Sequence, residues 1–281
     1  MLNTKQIVVI STVAALMAVL FFMDIKGLVK PKETRGAGMT TETASQPVSI
    51  SLESISTTAK NSLSANLAQQ ITDLEASLKQ ASGSDKLKLQ QQLAQKWDDV
   101  NQPAPASFYH EMVAQQVNDY PTWLKAGDEF TDAYQNTQDT LVQPGLVQKA
   151  INAYKNAQQL QPKSLDAKTG LGVAYVSGTP NPMQGIQLLL EVVKEEPRNV
   201  KANMNLGLFS MRSGQFDKAV NRFKTVNDIK PSPESWFYLA SSYENMGLKD
   251  EAIAAYLKSK ELAADPGLTQ FVEKKIAELK K

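Results

Sequence analysis

One imidazole and no thiol are all that the 281-residue sequence offers to nucleophilic or transition-metal chemistry. His110 lies in the run Phe108-Tyr109-His110-Glu111, where a histidine beside a carboxylate has the parts of a general base. No nucleophile motif and no glycine-rich phosphate loop accompanies it, so the expectation for His110 is packing or capping within a helix pair. The absence of cysteine removes disulfides, thiolate nucleophiles, thiolate metal sites and lipoprotein attachment. Zinc or iron would have to be held by that single imidazole and carboxylates, an unusual ligand set, and no metal is expected. The acid pairs Asp98-Asp99 and Glu195-Glu196 read as solvated charge, because neighbours in sequence do not share a helix face. These residues predict no catalytic site, no cofactor and no enzyme.

Thirty basic and 29 acidic side chains leave a net charge of +1, so no global field draws the chain onto nucleic acid. Recognition must then come from local surface. An apolar content of 42% is enough to build a packed core outside the polar stretches.

The first element is a membrane anchor within residues 1–30. From Ile7 to Met23 the chain carries no charge, and at about 1.5 Å per residue this run spans roughly 26 Å, close to the hydrocarbon thickness of a bilayer. A cleaved signal peptide starts in the same way, but small residues should follow; here Phe21, Phe22, Met23, Asp24 and Ile25 stand instead, which points to an uncleaved signal anchor. Lys26, Lys30, Lys32 and Arg35 outnumber Lys5, and the positive-inside tendency puts the following domain in the cytoplasm. A short tail, an anchor and a long polar spacer form the layout of bacterial inner-membrane proteins that export their domain. The two considerations oppose each other, and the expectation carried forward is a single-pass protein with its domain on the periplasmic side, the cytoplasmic side being the alternative.

Residues 31–60 contain Pro31, Gly36, Gly38, Pro47 and many Ser and Thr, and read as a flexible linker. Over 61–83, Leu63, Leu67, Ile71, Leu74 and Leu78 recur three and four apart and predict an amphipathic helix. It packs on its neighbour or pairs in a short coiled coil. The stripe lasts barely two heptads, so a homo-oligomer is not favoured.

From residue 84 to 266 the chain repeats itself. Pro162, Pro197, Pro231 and Pro266 fall about 35 residues apart, and a helix cannot run through such prolines, so each closes a unit. The clearest unit carries Leu206-Gly207, Gly214, Ala219, Phe223 and Pro231, and the next repeats the spacing with Ala240, Gly247, Ala252 and Tyr256. Small residues suit close helix crossings, and aromatic rings suit the space between units. Looser copies hold Trp123, Ala126, Gly127 and Phe130 with Ala150 and Tyr154, then Leu171-Gly172, Tyr175, Gly178, Gly185 and Leu189. Extra residues around Gln135–Gly145 and Thr179–Pro182 are expected in inter-helix loops. Leu93, Ala94, Trp97, Pro103, Ala106 and Phe108 form a fifth, degenerate pair, and residues 267–281 form a capping helix with Phe271, Ile276 and Leu279 on its apolar face.

This pattern resembles the tetratricopeptide repeat (TPR) family, whose unit is about 34 residues. The resemblance implies an all-α fold, a solenoid of four to five stacked helical hairpins curved so that the first helices line a concave groove, in which the family holds a peptide or protein. The groove-facing residues implied here are Leu124 and Asp128; Val173 and Val176; Met204, Leu208, Met211 and Arg212; then Phe237, Ser241, Glu244 and Asn245. Met204, Leu208 and Met211 form an apolar stripe that is either adaptable binding surface or plain core. Arg212 and Glu244 read as solvated charges. Thr169 and Val173 stand where a chaperone-tail-binding TPR domain carries its carboxylate clamp, so that activity is not predicted. The expected function is a membrane-tethered scaffold for a protein or peptide partner, without nucleic acid. The alternative is an architectural subunit of a larger membrane or envelope complex whose repeats are permanently covered.

Overall fold

A computed structural model describes residues 50–281 of the chain. The anchor expected within 1–30 and the linker up to residue 49 lie outside the described residues. Among the described residues no helix is long and apolar enough to cross a membrane. They form thirteen α-helices and no strand. These are α1 (Leu52–Lys60), α2 (Ala65–Gln80), α3 (Gly83–Asp99), α4 (Pro103–Val117), α5 (Tyr120–Asn136), α6 (Gln143–Leu160) and α7 (Leu165–Gly178), followed by α8 (Pro182–Glu195), α9 (Val200–Arg212), α10 (Phe216–Asn227), α11 (Pro233–Asn245), α12 (Lys249–Leu262) and α13 (Pro266–Leu279).

The helices pair as hairpins, α3 with α4, α5 with α6, α7 with α8, α9 with α10 and α11 with α12, and each hairpin packs on the next. Except in α3, the starts of the first helices are fixed by side-chain caps. Asp119, Ser164, Asn199 and Ser232 each accept a hydrogen bond from a backbone N–H of the first turn of α5, α7, α9 and α11, and Asp265 does so for α13. Each such cap contributes about 1 kcal/mol and sets where a repeat begins. The second helices lack a side-chain cap. In the last two hairpins they are entered through Gly214 and Gly247, whose φ of +73° and +75° lies in the left-handed region.

The spacing prolines fall in the turns after the second helices: Pro162 after α6, Pro197 after α8, Pro231 after α10, and Pro266 in the first turn of α13. The expected insertion around Gln135–Gly145 is only partly loop. Both flanking helices are lengthened, and residues 137–142 alone join α5 to α6. Hydrophobic sequence on either side of the insertion still faces the neighbouring hairpins, so α5 runs on to Asn136, and Pro144 in the first turn suits the start of α6.

The expected linker does not extend to residue 60, since residues 52–60 are the helix α1, capped by Ser51. Ile50, Leu52 and Ile55 pack against the cluster that holds Phe108, Phe130, Tyr134 and Leu146, so burial of three apolar side chains anchors a segment whose Ser/Thr content suggested a tether. Glu75 of α2 ties the amino-terminal helices together. It accepts hydrogen bonds from Ser56 (2.6 Å) and Lys60 (2.6 Å) of α1 and from the Tyr109 hydroxyl of α4 (3.0 Å). Burial alone would raise the Glu75 pKa, but the bonds from Lys60, Ser56 and Tyr109 outweigh it and hold the carboxyl below its ordinary 4.5. Its stabilising contribution is therefore complete above that value and lost as pH falls through the lower folded value. Glu75→Gln is expected to cost about 1–2 kcal/mol at neutral pH by removing a charged acceptor. In urea melts the gap between variant and parent should close as pH is taken well below 4.5. A pH-independent gap would rule out the charge as its source.

At the far end, α13 packs on α12 through Val272 and Ile276, which are buried. Phe271 is not part of that buried face. It is 47% exposed, its ring lying against Phe237 with centroids 5.8 Å apart.

Candidate partner-binding face

Successive first helices touch one another directly, α5 with α7, α7 with α9 and α9 with α11, so they share one face of the stack. Between α5, α7 and α9 this face holds a recess of about 380 Å³. Asp128, Val173, Leu208 and Arg212 of the expected groove set meet there, with Thr131, Asp132, Gln135, Ser177, Lys201 and Asn205 completing the lining. The recess carries acids on α5 and bases on α9. Lys201 Nζ lies 3.0 Å from Asp128 Oδ1, bridging the two helices in partly exposed surroundings. A pair this wet contributes at most about 1 kcal/mol, so a ligand can displace it. The Asp132 pKa is raised by burial and by the nearby charges of Glu129 and Asp128.

Asp128 is positioned from beneath. The Tyr154 hydroxyl on α6 donates to Asp128 Oδ1 at 2.8 Å, and the Thr131 hydroxyl, which donates to the Gly127 carbonyl, lies 3.0 Å from the Tyr154 hydroxyl oxygen. Burial, and then the Asp128 charge, push the Tyr154 pKa well above its ordinary value, so the phenol stays a donor. On α9, Asn205 donates to the Lys201 carbonyl at 2.8 Å and presents its amide to the recess.

The other expected groove residues are placed differently. Val173 is 2% exposed and forms the floor; Val176 is buried against α8 beside Gly185 and has no part in the face. Eight of the 14 residues of α7 are buried, because α7 is flanked by hairpins on both sides, so no single stripe marks its outer face. Leu124 is half-buried against the cluster of Trp123 and Ala126. Met204, Leu208 and Met211 are half-buried along the seam with α11, packed with Phe237 against the cluster of Phe223 and Tyr256. Ser241 is half-buried and Asn245 exposed, its amide donating to the Ser241 carbonyl. Arg212 is exposed at the recess. Glu244 is not a solvated charge. It accepts from the Tyr256 hydroxyl at 2.7 Å and from Lys275 of α13 at 3.0 Å, and these bonds lower its pKa against the opposing effect of burial.

The acid–base residues also pair differently from their order in the sequence. Glu111 is bound by Lys149 at 2.6 Å, whereas His110 Nε2 lies 3.0 Å from Asp98 Oδ2 of α3. Asp98 is therefore engaged, while Glu195 meets Lys168 at 3.0 Å in more exposed surroundings.

Residues 233–266, the hairpin α11–α12 up to Pro266, match the tetratricopeptide repeat family model. No curated protein sequence matches the chain. Among solved structures, a tetratricopeptide repeat protein from Parabacteroides merdae superposes with a TM-score of 0.55 at 15% identity, covering 82% of this chain and 86% of that one. A thermophilic TPR protein of Thermus thermophilus gives 0.50 at 20% identity over 69% of this chain and 98% of its own. MamA gives 0.47 at 24% identity over 66% of this chain and 97% of its own. The first two likenesses are of fold, and it is the fold of stacked helical hairpins described above. Residues 233–266 thus carry a tetratricopeptide repeat, and the described residues as a whole share the fold of stacked helical hairpins with those two proteins.

Proposed function

We propose that the protein is a membrane-tethered scaffold that holds a partner peptide or protein against the face shared by α5, α7, α9 and α11. TPR proteins mediate protein–protein interaction, and the recess between α5, α7 and α9 is the observation that carries the reading for this chain. Its polar lining of both signs suits the backbone amides and mixed charges of a polypeptide better than an apolar metabolite. The uncharged run Ile7–Met23 supports the tether, which raises the effective concentration of a partner at the membrane without further contacts. The layout of tail, anchor and spacer supports a position on the periplasmic side of a bacterial inner membrane.

A photo-crosslinking residue placed at Asn205 in the full chain in cells should capture a protein that the same residue at Lys258, which is exposed on α12, does not. Leu208→Arg should reduce that capture by at least about tenfold, the effect of removing a contact worth about 1.4 kcal/mol. Equal capture from both positions, insensitive to Leu208→Arg, would remove the shared face as the binding surface. A single cysteine introduced at Ser45 should react with an impermeant maleimide on the periplasmic side, and protection there would reverse the orientation.

A further inference from the structure

We propose that Asp98, His110 and Glu129 form a binding site for a divalent cation of the zinc class. One oxygen of each carboxylate and one imidazole nitrogen lie within 4.8 Å of one another. The three residues come from successive helices, α3, α4 and α5, so the backbone that carries them is held by the packing of two hairpins. Their side chains are only 24%, 16% and 12% exposed, sheltered enough to desolvate an ion yet open enough for water to complete its shell.

Zinc takes imidazole nitrogen and carboxylate oxygen at about 2.0–2.2 Å, which puts neighbouring ligand atoms roughly 3.3–3.5 Å apart. His110 and Asp98 already stand at 3.0 Å, so the closing movement falls to the Glu129 side chain. What holds Glu129 back is Lys125, one turn earlier on α5, whose ammonium it binds. Two carboxylates face the single ammonium of Lys125 in this cluster. A divalent ion that releases Lys125 meets both carboxylates unneutralised. Mixed nitrogen and oxygen ligands favour zinc over magnesium or calcium, which prefer oxygen alone. The ion would tie α3, α4 and α5 together at the amino-terminal end of the repeats.

Zinc chloride titrated calorimetrically into the full-length, tag-free chain in detergent should bind at one saturable site per chain and raise the unfolding midpoint. His110 is the sole histidine, so His110→Asn tests the site directly. It should weaken binding by at least about tenfold, the loss seen when even an outer partner of a metal ligand is removed. Lys125→Gln should act in the opposite direction and tighten binding, because it removes the competing cation, whereas a plain ion-pair network would show no metal response to it. Should circular dichroism show that His110→Asn does not fold, Glu129→Gln takes its place with the same expected weakening. Absence of zinc binding, unchanged affinity in the ligand variant, weaker binding in Lys125→Gln, or equal binding of magnesium chloride would each overturn the site.

Discussion

Tyr154→Ala is expected to cost about 3–5 kcal/mol, the range for deleting a fully buried large side chain. The Tyr154 ring is 0% exposed and lies flush against two helix backbones. A Cβ placed on Gly127 of α5 would stand 2.7 Å from that ring, and one on Gly170 of α7 only 2.2 Å, so both helices have given up a side chain to admit it. Removing the ring leaves a void between hairpins that neither glycine can fill. Because each hairpin of a stack is stabilised chiefly by its neighbours, the loss falls on the coupling between α5–α6 and α7–α8. Thermal unfolding followed by circular dichroism should then shift down and broaden into two steps, the hairpins from α9 onward melting last. An unchanged single transition would mean that the ring does not bridge the hairpins. Tyr154→Phe separates packing from positioning. It keeps the ring, costs about 0.5–1.5 kcal/mol for the lost hydroxyl, and frees Asp128 on the proposed partner-binding face, so capture there should fall while folding is largely retained.

That same ring shows why the repeat frame could be read from residue types alone. Wherever an aromatic side chain crosses a helix backbone, a larger residue would clash. Gly127 opposite Tyr154 and Gly207 opposite Phe223 therefore recur at positions that the spacing reveals. The caps carry a second signal of the same period: Ser164, Asn199 and Ser232 precede successive first helices, and Asp265 the terminal α13, at intervals of 33–35 residues. Helix α1 was not legible, because nine residues are too few to show a period and its three apolar contacts lie among serines and threonines. The site was legible only in part. Asp128, Leu208 and Arg212 reach the recess as their helical positions imply, but Val176 does not, since a helix buried on most sides gives no stripe from which to count faces. Glu244 depends on Lys275 in α13, and the grouping of His110 with Asp98 and Glu129 spans three helices. Partners so distant in the chain leave no local mark.

The crossing of α7 and α8 tests the packing rule at a point where no side chain can yield. A Cβ added at Gly185 would stand 2.3 Å from the Gly172 carbonyl oxygen and 2.7 Å from the Val176 amide nitrogen, both of them backbone atoms. Alanine in mid-helix gains about 1 kcal/mol in intrinsic propensity over glycine. Overpacking costs about 1–3 kcal/mol and occasionally more, and a clash with backbone belongs at the upper end because only movement of a whole helix relieves it. The expected net effect of Gly185→Ala is therefore a loss of about 2 kcal/mol, read as a lower urea midpoint. Gly172→Ala is the milder comparison, because its new Cβ meets the Leu189 side chain at 2.9 Å and 3.0 Å and comes no nearer than 3.1 Å to backbone, at the Gly185 carbonyl oxygen. Its cost should therefore be smaller than that of Gly185→Ala. If the two substitutions cost the same, or Gly185→Ala stabilises, then α7 and α8 do not cross backbone to backbone, and Val176 would be free to join the proposed partner-binding face from which their contact excludes it.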